Sequence, residues 1–95
     1  MLYGWGANSH GQLGLGFASE QENLPRPVTS PEPLRYVTGG GGHTLAISDS
    51  GKLFACGWNQ ASQLGLGHLD NVDVFTDTGR YYTLNMVKLI KVRYI

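Results

Sequence analysis

The run WGANSHGQLGLG, residues 5–16, carries four glycines in twelve positions and no Asp, Glu, Lys or Arg. A glycine-rich backbone can approach a phosphate and offer it N–H groups, so nucleotide binding is the first chemistry to test. A phosphate loop needs Gly, four residues, then Gly-Lys-Ser/Thr. The only Gly-Lys pair is Gly51-Lys52, with Ala46 where the first glycine should stand and Leu53 where the hydroxyl should. The dinucleotide fingerprint fails as well. Gly4-Trp5-Gly6 is followed by Ser9 and Gly14-Leu15-Gly16 by Ser19, where a third glycine is required.

The remaining reactive side chains do not assemble into a site. His10, His43 and His68 have no close-spaced partner and Cys56 is the single cysteine, so neither a zinc site nor a disulfide framework is expected. No Gly-x-Ser-x-Gly elbow is present and the acidic residues scatter. The expectation is a chain without a bond-making active site, metal or cofactor. Gly39-Gly40-Gly41-Gly42-His43 is the unusual segment. It reads either as a tight turn whose His43 hydrogen-bonds nearby backbone, or as a loop mouth where Gly41, Gly42 and His43 meet a partner.

The elements that position these residues repeat. Shifting the chain by 51 places lays LYGWGANSHGQLGLGF (2–17) over LFACGWNQASQLGLGH (53–68). Eight of the sixteen pairs are identical: Leu2/Leu53, Gly6/Gly57, Asn8/Asn59, Gln12/Gln63, Leu13/Leu64, Gly14/Gly65, Leu15/Leu66 and Gly16/Gly67. A nucleotide site need not be copied at each period, whereas a structural unit must be. The repeat motif is therefore assigned to Gly6, Asn8, Gln12, Leu13 and Gly14, with Gly57, Asn59, Gln63, Leu64 and Gly65 as its second copy. Cys56 stands where the first copy has Trp5, which suits packing. A fainter echo aligns Leu34 and Val37 with Leu89 and Val92. The chain is divided into propeller repeats over 1–67, with a partial repeat at 2–17 and a whole one at 34–67. Residues 68–95 are a divergent or truncated start of a further repeat.

Within one unit, Thr44–Ser48 reads as a strand with Leu45 and Ile47 on one face. Asp49-Ser50-Gly51 is the turn and Lys52–Trp58 the returning strand, apolar on both faces and so covered on both. Pro25, Pro27, Pro31 and Pro33 predict an extended or turning surface connection that also carries Glu20 and Glu22 in solvent. Thr76 and Thr78 fall where the period would copy Pro25 and Pro27. Short strands, turn signals and a long period predict an all-β chain of propeller blades.

Bulk composition adds exclusions. Seven Lys/Arg balance seven Asp/Glu, so no charge field draws in nucleic acid or an anionic membrane. Residues 1–19, the longest run free of those charges, are broken by glycines and polar residues and predict no membrane insertion. One cysteine and no basic, apolar leader fit a cytoplasmic or nuclear location.

GGGHTLAISDSGKLFACGWNQASQLGLG, residues 40–67, resembles the repeat of the regulator of chromosome condensation family: a Gly-x-x-His-Thr strand, then Leu-Phe-x-x-Gly-x-Asn-x-x-x-Gln-Leu-Gly. WD repeats lack Asn59 with Gln63-Leu64-Gly65 and use a shorter period, and kelch repeats lack this ending. The resemblance implies a seven-bladed ring, of which about two repeats are present and to which further blades belong. It implies a protein related to guanine nucleotide exchange factors that binds a small GTPase or a secretory-pathway partner. Exchange of that kind acts by differential binding and not by bond chemistry. The alternatives are a non-catalytic interaction module of the same fold, or a structural fragment inactive on its own.

Overall fold

Strands pair antiparallel with their immediate neighbours in the chain, and the chain does this in two sheets. The computed structural model describes residues 2–59 and 70–81, and every regular element among them is a strand. β1 (Leu2–Asn8) and β2 (Ser19–Val28) form one antiparallel pair. β3 (Leu34–Gly39), β4 (His43–Ser48), β5 (Lys52–Gly57) and β6 (Val72–Tyr81) form a four-stranded antiparallel meander in chain order. β5 and β6 repeat β1 and β2, so the first sheet corresponds to the outer half of the second.

The core lies between the two sheets. Val28 from the first meets Ala46, Phe54, Cys56 and Phe75 from the second, and Leu2, Leu15 and Leu34 close around them. Ile47 and Leu53 form a smaller cluster with Leu45 on the opposite face of the second sheet. β5 is buried from Leu53 to Gly57, as its two apolar faces predict.

The proline-rich stretch differs from expectation. Residues 19–28 are not a connection but the ten-residue strand β2, with Tyr3 directly opposite Pro27. β2 is the outer strand of its sheet, and an edge strand has no neighbour to miss the absent proline N–H. Glu22 is buried, not solvated. Its carboxylate accepts from Ser19 Oγ at 2.7 Å and from Arg26 Nε at 2.8 Å. Pro31 and Pro33 do lie in the connection between the sheets. It is tied to the β4–β5 turn by Asp49 N–H donating to Pro33 O at 3.1 Å and by Ser50 Oγ donating to Glu32.

β6 shows how the unit continues where its side chains diverge. Phe54 stands opposite Asp77 as Tyr3 stands opposite Pro27, so Asp77 and not Thr78 occupies the place of Pro27. The loop is one residue shorter in the second unit, and residue matching at constant offset hides the equivalence.

Since Phe54 fills the layer shared by both sheets, Phe54→Ala is expected to lower stability by about 3–5 kcal/mol. Leu24→Ala, at a side chain 72% exposed, should change it by less than about 0.5 kcal/mol. Urea unfolding followed by tryptophan fluorescence checks both.

Candidate partner-binding site

The repeat asparagines build the loops of the candidate site. Asn8, with no exposed surface, donates from Nδ2 to Phe17 O and to Ser19 Oγ, both at 3.0 Å. Its Oδ1 accepts from Leu13 N–H at 3.1 Å. One carboxamide thus joins the start, middle and end of the loop between β1 and β2, using a donor and an acceptor that aspartate could not both supply at neutral pH. Asn59 is the matching residue of the second unit. It is fully buried, Nδ2 donates to Asp70 O at 3.0 Å, and its own N–H donates to Asn71 Oδ1 at 2.9 Å. Within the first loop, Gly14 has φ +70°, and a Cβ there would sit 3.0 Å from the Phe75 ring. The loop therefore lies flat against the second sheet, and Gly16 N–H donates to Asp73 O at 2.8 Å.

That loop meets the glycine turn. Gln12 O accepts from Thr44 Oγ1 at 2.6 Å and from Cys56 Sγ at 3.4 Å, fixing it over the start of β4 and the end of β5. Gly57 has φ +105°, and a Cβ there would lie 2.4 Å from Gly42 O and 3.0 Å from Gln12 Cβ. Only glycine allows the three segments to close together. Trp58 N–H then donates to Gly42 O at 2.8 Å, and the Trp58 ring rests 5.8 Å from that of His10, centroid to centroid. His10 and Trp58, both half-buried, thus come together over Gly42, whose chain neighbour Gly41 is exposed.

The candidate residues separate here. Gly41 is exposed, whereas Gly42 is buried and His43 keeps only 5% of its surface accessible. The His43 ring packs against Gly40, where an added Cβ would come within 2.3 Å of it. The turn is closed by the backbone carbonyl of His43, which accepts from Gly40 N–H at 2.7 Å. No hydrogen bond to the imidazole is formed among the described residues. Gly6, Asn8, Gln12, Leu13, Gly14, Gly57 and Asn59 all lie in or beside the two loops. Gln63, Leu64 and Gly65, with His68, fall outside the described residues. Sequence reasoning missed Trp58 and weighed His10 only as a metal ligand. The available signal was that His10 and Trp58 break the repeat, standing against Ala61 and Ala7.

Burial acts on two titratable groups beside this surface. It holds the His43 imidazole below its ordinary value of 6.5. It pushes the Cys56 thiol up to about 12, leaving the sulfur a packing atom and not a nucleophile. No group of three His, Cys, Asp or Glu side chains able to hold a metal occurs among the described residues. Among the described residues there is no helix long and apolar enough to cross a membrane.

Sheets that stack face to face, each sending its loop over the next, are blades of a β-propeller. The chain belongs to the regulator of chromosome condensation repeat family. The model of that family, described as the regulator of chromosome condensation (RCC1) repeat, matches residues 1–47, and a second of the same description matches residues 35–63. The chain is 48% identical over 79 residues to the secretion-regulating guanine nucleotide exchange factor of Mus musculus, covering 80% of this chain and 17% of that protein. It is 50% identical over 67 residues to the probable E3 ubiquitin-protein ligase HERC3 of Homo sapiens, covering 68% and 6%. The crystal structure of human WBSCR16 matches with a TM-score of 0.70 and 26% identity, over 79% of this chain and 20% of that one. The chain thus spans only a small part of each relative.

Three tests follow from this geometry. Asn8→Ala strands Leu13 N–H, Phe17 O and Ser19 Oγ, and should cost about 1–3 kcal/mol or more in urea unfolding. His43 takes up a proton less readily folded than unfolded, so its contribution is complete above pH 6.5 and is lost as the pH falls below it. Thermal midpoints between pH 7.5 and 5 should drop on the acid side, and less so in His43→Phe. At pH 8 the native Cys56 thiol should resist a disulfide reagent that labels the urea-unfolded chain at once.

Proposed function

We propose that the chain acts as a protein-binding part of an exchange-factor-related propeller, recognising a small GTPase or a secretory-pathway partner. The observation that carries this reading is the surface where the first unit's loop meets the glycine turn of the second. It presents His10 and Trp58 together beside Gly42, with the exposed Gly41 next in the chain. Tryptophan is prominent among the side chains that dominate binding energy, and the bare backbone at Gly41 lets a partner approach closely. Gly42 and His43 support the surface from beneath. The kinship with a guanine nucleotide exchange factor supports the choice of a GTPase as partner.

The mechanism needs no reacting group. A surface that binds the nucleotide-free GTPase more tightly than the loaded form lowers nucleotide affinity by the same factor. A partner of this kind places the chain in the cytoplasm or nucleus. The second reading is an interaction module without exchange activity. It is favoured by the breadth of the family, since HERC3, named a probable ubiquitin ligase, shares the same repeat.

Release of a fluorescent guanine nucleotide from candidate GTPases, with the chain in excess, tests the proposal. Accelerated release is expected, and Trp58→Ala should weaken binding by roughly tenfold or more. Binding without acceleration would leave only the module reading. No binding to any GTPase or secretory protein tried, with the chain shown to be folded, would sink both.

A further inference from the structure

Between the two sheets the chain reads Thr29-Ser30-Pro31-Glu32-Pro33, outside every strand. Ser30-Pro31 is the sole serine–proline or threonine–proline pair in the sequence. Thr29 and Pro31 are exposed, and Ser30 between them is half-buried. Pro31 keeps Ser30 out of the helical region, and neither proline has an N–H to place in a ladder. The Ser30 hydroxyl is therefore carried on a stretch that can enter an enzyme's cleft without dismantling a sheet.

The same stretch fastens the first unit to the second. The chain bends at Pro31 and Glu32, and Ser30 Oγ closes the bend by donating to Glu32 O at 2.8 Å. Beyond the bend, Pro33 O accepts from Asp49 N–H at 3.1 Å in the β4–β5 turn. The Glu32 carboxylate accepts from Ser50 Oγ of that turn and lies 3.7 Å from Lys52 Nζ. One serine hydroxyl thus shapes the linker, and one carboxylate beside it holds the linker down.

We propose that Ser30 is a phosphorylation site for a proline-directed protein kinase, and that its modification releases the linker from the β4–β5 turn. The γ-phosphoryl group of ATP passes to Ser30 Oγ. An O–P bond forms there as the bond from the γ-phosphorus to the bridging oxygen of ADP breaks, and the hydroxyl proton goes to the kinase's carboxylate base. The esterified oxygen has no proton left to give to Glu32 O. The phosphate brings a charge of about −1.5 to −2 at neutral pH, two residues from the Glu32 carboxylate. The two repel, and the phosphate competes with Glu32 for Lys52. The inference rests on the linker alone and is independent of any GTPase.

The test gives a purified proline-directed kinase and ATP to the folded full chain and to a capped peptide, RPVTSPEPLR, with the sequence of residues 26–35. One phosphate is expected on each, located at Ser30 by fragmentation, and none on the Ser30→Ala chain. In the phosphorylated chain the Asp49 amide, which bonds Pro33 O, should exchange hydrogen at least roughly tenfold faster. The amide of Ala55, central in its sheet, should keep its rate. A peptide left unmodified, a peptide modified where the folded chain is not, or phosphate still taken up by Ser30→Ala would each overturn the proposal. So would phosphorylated Ser30 with the Asp49 rate unchanged. Equal acceleration at Asp49 and Ala55 would mean general loosening of the fold, and would overturn it as well.

Discussion

A sheet of short strands cannot bury both of its faces alone, and this constraint organises the molecule. Phe54, Cys56 and Ala46 are sequestered only because Val28, Leu2 and Leu15 of the first unit lie against them. The loops obey the same requirement. The first is kept flat enough for close stacking by the buried Asn8 carboxamide, which satisfies three backbone or hydroxyl groups, and in the second unit the buried Asn59 carboxamide donates to Asp70 O. Replace the stacking and neither the loops nor the glycine turn have anything to rest on.

The fold was legible where its cause is local. Gly6, Gly14 and Gly57 take positive φ, a demand few other residues meet, so they recur at fixed spacing and expose the repeat. Asn8 and Asn59 recur because no other neutral side chain offers the same donor and acceptor at that length. What stayed hidden depends on position in the sheet. Pro25 and Pro27 read as strand breakers because a sequence does not say which strand is outermost. Glu22 reads as solvated because its partners, Ser19 and Arg26, become neighbours only once β2 is a strand.

The candidate site was half legible for the same reason. The glycine turn drew attention to His43, whose ring instead fills the space that Gly40 leaves open. The residues presented at the surface, His10 and Trp58, are those in which the two units differ. Repetition thus identifies the scaffold, and departures from it identify the face available to partners.

The cross-unit hydrogen bonds also bear on how such a chain matures. The Gln12 carbonyl receives its partners from Thr44 and Cys56, which lie 32 and 44 residues further along. During vectorial synthesis the first loop therefore emerges with its acceptor unmet and its shape undecided. Each unit acts as the mould for the one made before it, so ordering runs backwards along the nascent chain. A ribosomal pause between the units would prolong the interval in which the first is unfinished, and that interval is when chaperones have most to hold.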